Sequence, residues 1–415
     1  MSLFLASFIL SLLLITNYRF KRSVLYPPFI FSGMWLLVLI VYQLNVVEID
    51  KIHSRTLFII IGGAILFSIG SASAYLIPKS KSRLEFKNKF SNKNNKKIKS
   101  IVLLFLIILM SYIIHSTFKN AAMGNDGAFL ERARLAGVEN ITQKRDILTF
   151  FVEHISRWAT YAAVLFLLDG RDRYFWIATG IAFVNSIFST GRTELLLLVA
   201  ALTGIEIMIA NRSKFLLAVK MAKWPAIIFF SLYIGLIFSN KDISTLGSLE
   251  GGAAGIALYF LVTYLIGPTA ALDYVVMHQP EYINAPMHTF KFLYNLGSKL
   301  NLLSYTPPPT LDTFVYIPFP TNVYTVYKFI IVDFGVTSSL VIVGIIGFLQ
   351  TVLYRRAVTG ERFFQYFYAL TLFPLVMVIF DDHYYDLWAY ISPLIFYLLY
   401  YIMIKGVKEL HQKVG

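Results

Sequence analysis

The chain has 415 residues, of which 57% are hydrophobic and only 14% are charged, and its mean hydropathy is +0.65. Soluble domains carry about 45–50% apolar and about 25% charged residues, so this composition excludes a soluble enzyme and indicates a polytopic membrane protein. The net charge of +14 would suggest nucleic-acid binding in a soluble chain. Here it bears instead on which side of the membrane the basic segments occupy, and we expect no nucleic-acid partner.

Apolar runs that are long enough to cross a hydrocarbon core of about 30 Å as helices recur along the whole chain. They predict an all-α protein that forms one membrane domain, residues 1–415, with about eleven spans. The predicted spans cover residues 2–18, 24–44, 57–77, 101–118, 147–168, 174–190, 195–210, 224–240, 328–353, 364–380 and 387–404.

The distribution of lysine and arginine predicts the orientation. Residues 78–100 form the most basic segment, in which Glu85 is the lone acidic residue, so the positive-inside rule places this loop in the cytoplasm. Counting spans outward puts the other basic segments and the C-terminus on the same side, and the N-terminus outside. Two larger loops, residues 119–146 and 241–327, are then expected on the outer face.

The apolar segment of residues 255–277 is long enough to span, yet a full crossing would place the basic C-terminal tail outside. A helix is expected to break at Gly267-Pro268, so the segment is interpreted as re-entrant or interfacial. Residues 278–327 are expected to be loop-like, because prolines between aromatic residues favour extended, stiff backbone. These aromatic residues suit either a groove for sugar rings or an interfacial belt.

Arg192 and Glu194 lie in FSTGRTELLLL, between the sixth and seventh predicted spans. Gly191 permits a tight turn there, and the N-terminus of the following helix adds positive potential. Backbone N–H groups and a guanidinium that converge on the same oxygens suit a phosphate or pyrophosphate. The segment therefore predicts an anion site, with a capping turn whose arginine reaches the lipid headgroups as the alternative.

The loop of residues 119–146 supplies further cations, among them Arg132, Arg134 and Arg145. Arg132 and Arg134 are two residues apart and cannot share one helix face. One of them is therefore expected to point inward, and Arg134 is favoured. The alternative is a solvated, charged helix.

Two pairs of ionisable residues fall within or beside predicted spans, where charges are costly. Glu153 and Arg157 are four residues apart on the fifth span, so they share a helix face and predict a structural ion pair. Lys328 and Asp333 lie in the first turns of the ninth span. They predict either a buried ion pair or a lysine that belongs to a site.

The outer turn FDDHYYD brings His383 beside Asp381, Asp382 and Asp386. Carboxylates stabilise the protonated form of an imidazole, so a general base is one interpretation of this turn. Asp381, Asp382 and His383 also have the ligand types for a hard cation, but no regular metal-binding motif accompanies them. We therefore expect neither a metal nor a cofactor.

Three motifs and the overall topology resemble the O-antigen polymerases, the Wzy-type oligosaccharide repeat-unit polymerases of bacterial inner membranes. The motifs are FSTGRTELLLL between two spans, YLIGPTAALDY at the opening of a large outer loop, and PTNVYTVYKFIIVDFG leading into the next span. The resemblance implies a GT-C-like glycosyltransferase in the inner membrane with its active site on the periplasmic face. Such an enzyme transfers a glycan growing on undecaprenyl pyrophosphate to the non-reducing end of a newly flipped, lipid-linked repeat unit.

The resemblance also implies roles for particular residues. Arginines of the outer loops are expected to bind the pyrophosphate, and the candidates are Arg192, which matches the motif, and Arg132, Arg134 and Arg145, which match by location. A loop histidine acts as the base in the related O-antigen ligases, and the candidates by side are His288, His383 and His278. The residues expected to contact the substrate are Glu194, Asn322, Tyr324, Lys328 and Asp382.

The expected partners are an undecaprenyl-pyrophosphate-linked oligosaccharide, the bilayer and a chain-length regulator protein. One alternative is a flippase of lipid-linked sugars, for which Glu153, Arg157 and Glu206 are the natural pathway residues. Most ionisable candidates gather at one face rather than at mid-membrane, which argues against that alternative. A second is an O-antigen ligase, which would share the fold and the arginines. A membrane acyltransferase, a third, would show a histidine buried within a span, for which His154 is the candidate.

Overall fold

The computed structural model describes most of the chain and is almost entirely helical. The described residues are 1–47, 49–78, 93–123, 155–188, 192–209, 252–278, 286–304, 314–317, 320–380 and 383–414. Their helices are α1 (Leu3–Lys21), α2 (Pro27–Leu44), α3 (Ser54–Ser73), α4 (Lys93–Met123), α5 (Trp158–Asp169), α6 (Arg173–Phe188), α7 (Arg192–Ile209), α8 (Gly252–Met277), α9 (Lys291–Lys299), α10 (Tyr327–Ala357), α11 (Arg362–Val376) and α12 (Trp388–Val414). Two strands, β1 (Val315–Tyr316) and β2 (Pro320–Thr321), pair antiparallel.

The helices confirm a helical membrane protein. Seven apolar segments in the described part of the chain are long enough to cross a membrane, namely α1, α2, α3 with the turn that follows it, α4, α10, α11 with the turn that follows it, and α12. Two shorter apolar helices lie at Trp158–Asp169 and Val262–Met277. The predicted eighth span, residues 224–240, lies outside the described residues. The total of about eleven spans and the GT-C-like arrangement stay predictions.

The tightest helix pair, α3 and α10, packs through glycines. Gly70 and Gly347 let the two backbones approach, since a Cβ on Gly347 would lie 2.3 Å from the Phe67 carbonyl oxygen. The Ser71 hydroxyl donates a hydrogen bond of 2.9 Å to the Gly347 carbonyl. Small residues commonly drive association of helices in membranes, because lipid offers no hydrophobic driving force between them. The close packing of α3 on α10 fixes the position of α10 in the bundle.

Replacing Gly347 with Ala is expected to lower the free energy of unfolding by about 1–3 kcal/mol, the usual cost of overpacking. The Phe67 carbonyl is backbone in the middle of a helix, so it cannot move aside cheaply. Gly180→Ala is the matched control, since a Cβ at this helical glycine meets nothing within 4 Å. Thermal unfolding in detergent should separate the two variants, and equal midpoints would contradict close packing of α3 on α10.

One end of the bundle is held by ion pairs around the buried Lys99. The Lys99 ammonium lies 2.8 Å from Asp172 and 3.3 Å from Asp169, and Asp169 also pairs with Arg362. These residues come from the start of α4, the α5–α6 connection and the start of α11. The charge distribution placed these segments on one side of the membrane, and in the structure they meet at one end, called here the basic end. Whether this end faces the cytoplasm stays a prediction.

Two boundaries differ from the sequence expectation. Helix α8 runs unbroken from Gly252 to Met277 with Pro268 inside it, so the predicted break at Gly267-Pro268 is wrong. Proline is tolerated within a helix when packing compensates for the lost hydrogen bond, and here Ala271 and Leu272 are fully buried. Whether α8 crosses the membrane stays a prediction. Helix α4 extends beyond its predicted span at both ends, into the segments of residues 78–100 and 119–146.

The segment of residues 278–327 is more structured than the expected loop. It contains α9 and the short β1–β2 pair, with Val315 opposite Thr321. The proline-rich residues 305–313 lie outside the described residues. The hairpin residue Ile317 packs on a small cluster formed with Val262 and Ile266 of α8, so the hairpin is fixed to the bundle by apolar contacts that hydropathy along the sequence does not reveal.

Candidate active site

The end of α10 that lies away from the basic end carries a histidine–carboxylate pair. Gly335 has φ of 77° and ψ of 171°, which bends α10 shortly after it begins. Asp333 lies just before this bend and is fully buried. Glycine adopts a positive φ at little steric cost, so the sequence DFG allows a short helical segment with an acidic residue at its end.

Asp333 holds His288 through several contacts. Its Oδ1 atom is 2.9 Å from His288 Nδ1, and Oδ1 and Oδ2 accept the backbone N–H groups of His288 and Thr289 at 3.3 Å and 2.7 Å. A carboxylate only accepts hydrogen bonds, so Nδ1 carries the proton in this pair. The His288 ring also stacks on Phe329 with centroids 5.4 Å apart. The imidazole is therefore fixed in one orientation, with Nε2 on the side away from the carboxylate.

Lys328 lies on the same short helical segment as Asp333. Its ammonium sits 3.5 Å from the centre of the Tyr324 ring and 5.0 Å from that of Phe329, which is close enough for cation–π attraction. Lys328 and Tyr324 are both buried, whereas Asn322 in the same connection is half-buried. Phe329 thus contacts both the cation and the histidine, and it links them in one site. An ion pair between Lys328 and Asp333 was one of the two predictions for these residues. In the structure the Asp333 carboxylate pairs with His288.

A second polar cluster joins α5, α7 and the turn before α12. Arg157 Nε lies 2.8 Å from Glu194 Oε1, and its Nη1 atom lies 3.6 Å from Asp386. Asp386 also accepts the backbone N–H of Trp388 and so caps the start of α12. An arginine guanidinium stays protonated in proteins, so this contact with two carboxylates is a charged one. This arginine connects three elements at the end opposite the basic end.

His383 lines a cavity of about 20 Å³ beside this cluster, together with Arg157, Tyr161 and Tyr390. That volume is about enough for one water molecule. The His383 ring packs against Phe373 with centroids 4.7 Å apart. His383 therefore lies next to a fixed guanidinium, and Asp386 points to Arg157 at the same place.

Arg157→Ala is expected to lower the free energy of unfolding by about 1.5–3 kcal/mol, because charged hydrogen bonds to Glu194 and Asp386 are lost. Arg171→Ala is the matched control. Its guanidinium is 60% exposed and lies 2.7 Å from Glu206, and such exposed pairs contribute about 1 kcal/mol or less. Thermal unfolding of both variants in detergent measures the difference. A midpoint for Arg157→Ala as high as that of Arg171→Ala would contradict the anchoring role.

The structure describes about half of the predicted site residues. It brings His288, Tyr324 and Lys328 together, and it places Glu194 beside Arg157 near His383. Helix α7 begins at Arg192, whose side chain lies outside the described part of the chain. Arg132, Arg134, Arg145 and Asp382 also lie outside it, so their roles stay predictions. Within the described residues no three His, Asp or Glu side chains come together as metal ligands.

Two contacts were not anticipated from the sequence. Arg157 pairs with residues 37 and 229 positions away; its predicted partner Glu153 lies outside the described residues, so that pair stays a prediction. His53 forms a second histidine–carboxylate pair, with Nδ1 2.8 Å from Asp273 Oδ2 and its backbone N–H 2.9 Å from Oδ1. This pair ties the C-terminal part of α8 to the start of α3. The one sequence feature that could have indicated this pair is Asp273, because an acidic residue inside an apolar helix usually has a polar partner.

No protein-family model, no curated protein and no solved structure matches this chain.

Proposed function

We propose that this protein is a membrane glycosyltransferase that polymerises undecaprenyl-pyrophosphate-linked oligosaccharide repeat units into O-antigen or a related surface polysaccharide. The protein would act in the bacterial inner membrane with its site on the periplasmic face, the N-terminus outside and the C-terminus in the cytoplasm. The growing chain is transferred to the non-reducing end of a new unit. The observation that carries this proposal is the His288–Asp333 pair.

A sugar hydroxyl needs a base within hydrogen-bond reach in order to attack. Asp333 supports this role for His288 because it fixes the Nδ1–H tautomer, which leaves Nε2 as the basic nitrogen. The His288 side chain is 20% exposed while the Asp333 side chain is fully buried. A buried carboxylate that orients a partly accessible imidazole is the arrangement that general-base catalysis requires. His288 is thus favoured over His383 and His278 as the base.

The leaving group of the donor is undecaprenyl pyrophosphate. The start of α7 offers a place for the negative charge of this leaving group. Arg192 is the first residue of α7, where unsatisfied backbone N–H groups and the helix dipole favour an anion. Glu194, in the same turn, is held by Arg157, which fixes the position of this helix end. Stabilising the pyrophosphate as it departs lowers the barrier to cleavage of the glycosidic bond.

The reaction that follows is a single exchange of bonds. The acceptor hydroxyl oxygen forms a bond with the anomeric carbon of the growing chain, the bond from that carbon to the pyrophosphate oxygen breaks, and the hydroxyl proton moves to Nε2 of His288. Lys328, placed beside the same ring stack, adds positive charge close to the reacting groups. Asn322 and Tyr324 are proposed to orient the sugar.

The test is incubation of the purified protein with the undecaprenyl-pyrophosphate-linked repeat unit of its source organism, without nucleotide sugar and with a chelator. The proposal predicts a ladder of multiples of the repeat unit on a gel. A single transfer of preformed chains to another acceptor would favour the ligase. Movement of the lipid-linked sugar across vesicles without any new glycosidic bond would favour the flippase.

A further inference from the structure

An apolar surface follows directly after His288 in the chain. Between 38% and 74% of the surface of five large apolar residues in this stretch is exposed. They belong to α9, to the residue before it and to the turn after it, and they are Phe290, Leu293, Leu300, Leu302 and Leu303. Lysines bracket α9 at both ends in the sequence KFLYNLGSK. The stretch of residues 290–303 therefore combines an exposed apolar edge with flanking cations.

This apolar edge is built by the backbone. Asn301 has φ of 55°, in the left-handed region, and Leu302 N–H donates to the Gly297 carbonyl at 2.8 Å. Such a bond closes a helix C-terminus and turns the chain back on itself. Leu303 then packs over Gly297, where a Cβ would lie 2.7 Å from the leucine Cδ1. The leucines of the turn are thus held next to α9 on one compact unit.

The position of residues 290–303 relative to the membrane is inferred from α10. Beyond the bend at Gly335, residues 336–357 of α10 are about 33 Å long at 1.5 Å per residue, which matches a hydrocarbon core of about 30 Å. Val341, Ile345 and Leu349 on this part are exposed, as expected for a lipid-facing stripe. Asp333 lies just above that span and binds His288 and Thr289. With residues 336–357 across the hydrocarbon core, residue 290 is expected at the level of the lipid headgroups.

We propose that α9 and the following turn, residues 290–303, insert their apolar edge into the headgroup–acyl boundary of the bilayer that surrounds the spans. The leucines bury in the upper acyl region, as in other interfacial amphipathic helices. Insertion of this edge sets the height of His288 at the membrane surface, which is where a lipid-linked pyrophosphate lies in the proposed function.

The chain contains no cysteine, so a single introduced thiol can be labelled without a background. Leu302→Cys carries an environment-sensitive fluorophore in nanodiscs that contain lipids with a quencher just below the headgroup. Val341→Cys, on the lipid-facing stripe, is the control inside the core, and Lys51→Cys, an exposed residue of the α2–α3 connection, is the control in water. Leu300→Cys provides a second reporter if Leu302→Cys does not fold.

The proposal predicts that the shallow quencher reduces the fluorescence of Leu302→Cys at least twofold and leaves Lys51→Cys unchanged. Fluorescence of Leu302→Cys and Leu300→Cys that is as insensitive as that of Lys51→Cys would overturn it. A probe that is shielded from the quencher but cross-links between copies would also overturn it, in favour of a second copy of the chain as the partner. The measurement uses no substrate, so its outcome is independent of the proposed glycosyltransferase activity.

Discussion

Replacement of His288 with Ala should reduce the rate of polymer formation by about 10²–10⁴-fold, the usual contribution of a general base. The fold should persist, because the backbone N–H groups of residues 288 and 289 still donate to Asp333. The measurement is the initial rate of polymer formation from the lipid-linked repeat unit, together with the thermal unfolding midpoint of the variant.

His278→Ala is the matched control for this variant. His278 is exposed, lies at the end of α8 and stacks on Tyr274, whose carbonyl is 2.8 Å from its Nδ1. It lacks a buried carboxylate partner among the described contacts, so its loss should leave the rate within about twofold of the wild type. Comparable rates for the two variants would remove His288 from the reaction, and a defect in His383→Ala alone would move the base to the Arg157 cluster.

Asp333→Asn should reduce the rate by about 10²-fold or more, because an amide in place of the carboxylate no longer fixes the Nδ1–H tautomer. The amide nitrogen also replaces one of the two oxygens that accept from the backbone N–H groups of His288 and Thr289, so a donor then faces a donor. We therefore expect kcat to fall much more than KM changes, with a lower thermal midpoint.

Asp273→Asn separates these two effects. Asp273 holds His53 by the same two kinds of contact, to Nδ1 and to the backbone N–H. It ties α8 to α3, and no contact among the described residues joins it to His288 or Lys328. It should lower the unfolding midpoint much as Asp333→Asn does, while polymerisation by the folded protein continues at near wild-type rate. Equal loss of activity in both variants would mean that Asp333 acts through stability alone.

The parts of the molecule that follow from local sequence were predictable. Ten of the eleven predicted spans coincide at least in part with described helices, because hydropathy over about 20 residues reports burial in lipid directly. The basic segments that meet around Asp169 were grouped correctly by charge. Pro268 was misread, because a sequence rule for the loss of one hydrogen bond takes no account of packing on the flanking residues.

The site was predictable only in its residue types. Lys328 and Asp333 were candidates because charges are rare beside apolar spans, and His288 was a candidate because the resemblance implies a loop histidine as the base. Their pairing was not predictable, since Asp333 binds a residue 45 positions earlier, and that contact depends on how the segment before α9 packs against the start of α10. Arg157 shows the same limit, because its described partners come from α7 and the turn before α12, and its position on a helix gave no sign of them.

The most direct test counts products in the wild-type reaction. Polymer bonds and released undecaprenyl pyrophosphate are measured in the same sample as a function of time, with the purified protein and the lipid-linked repeat unit alone. The proposed exchange of bonds predicts one undecaprenyl pyrophosphate released for each glycosidic bond formed, at all times. Polymer growth without release, or release without polymer growth, would contradict a polymerase that uses the lipid pyrophosphate as its leaving group.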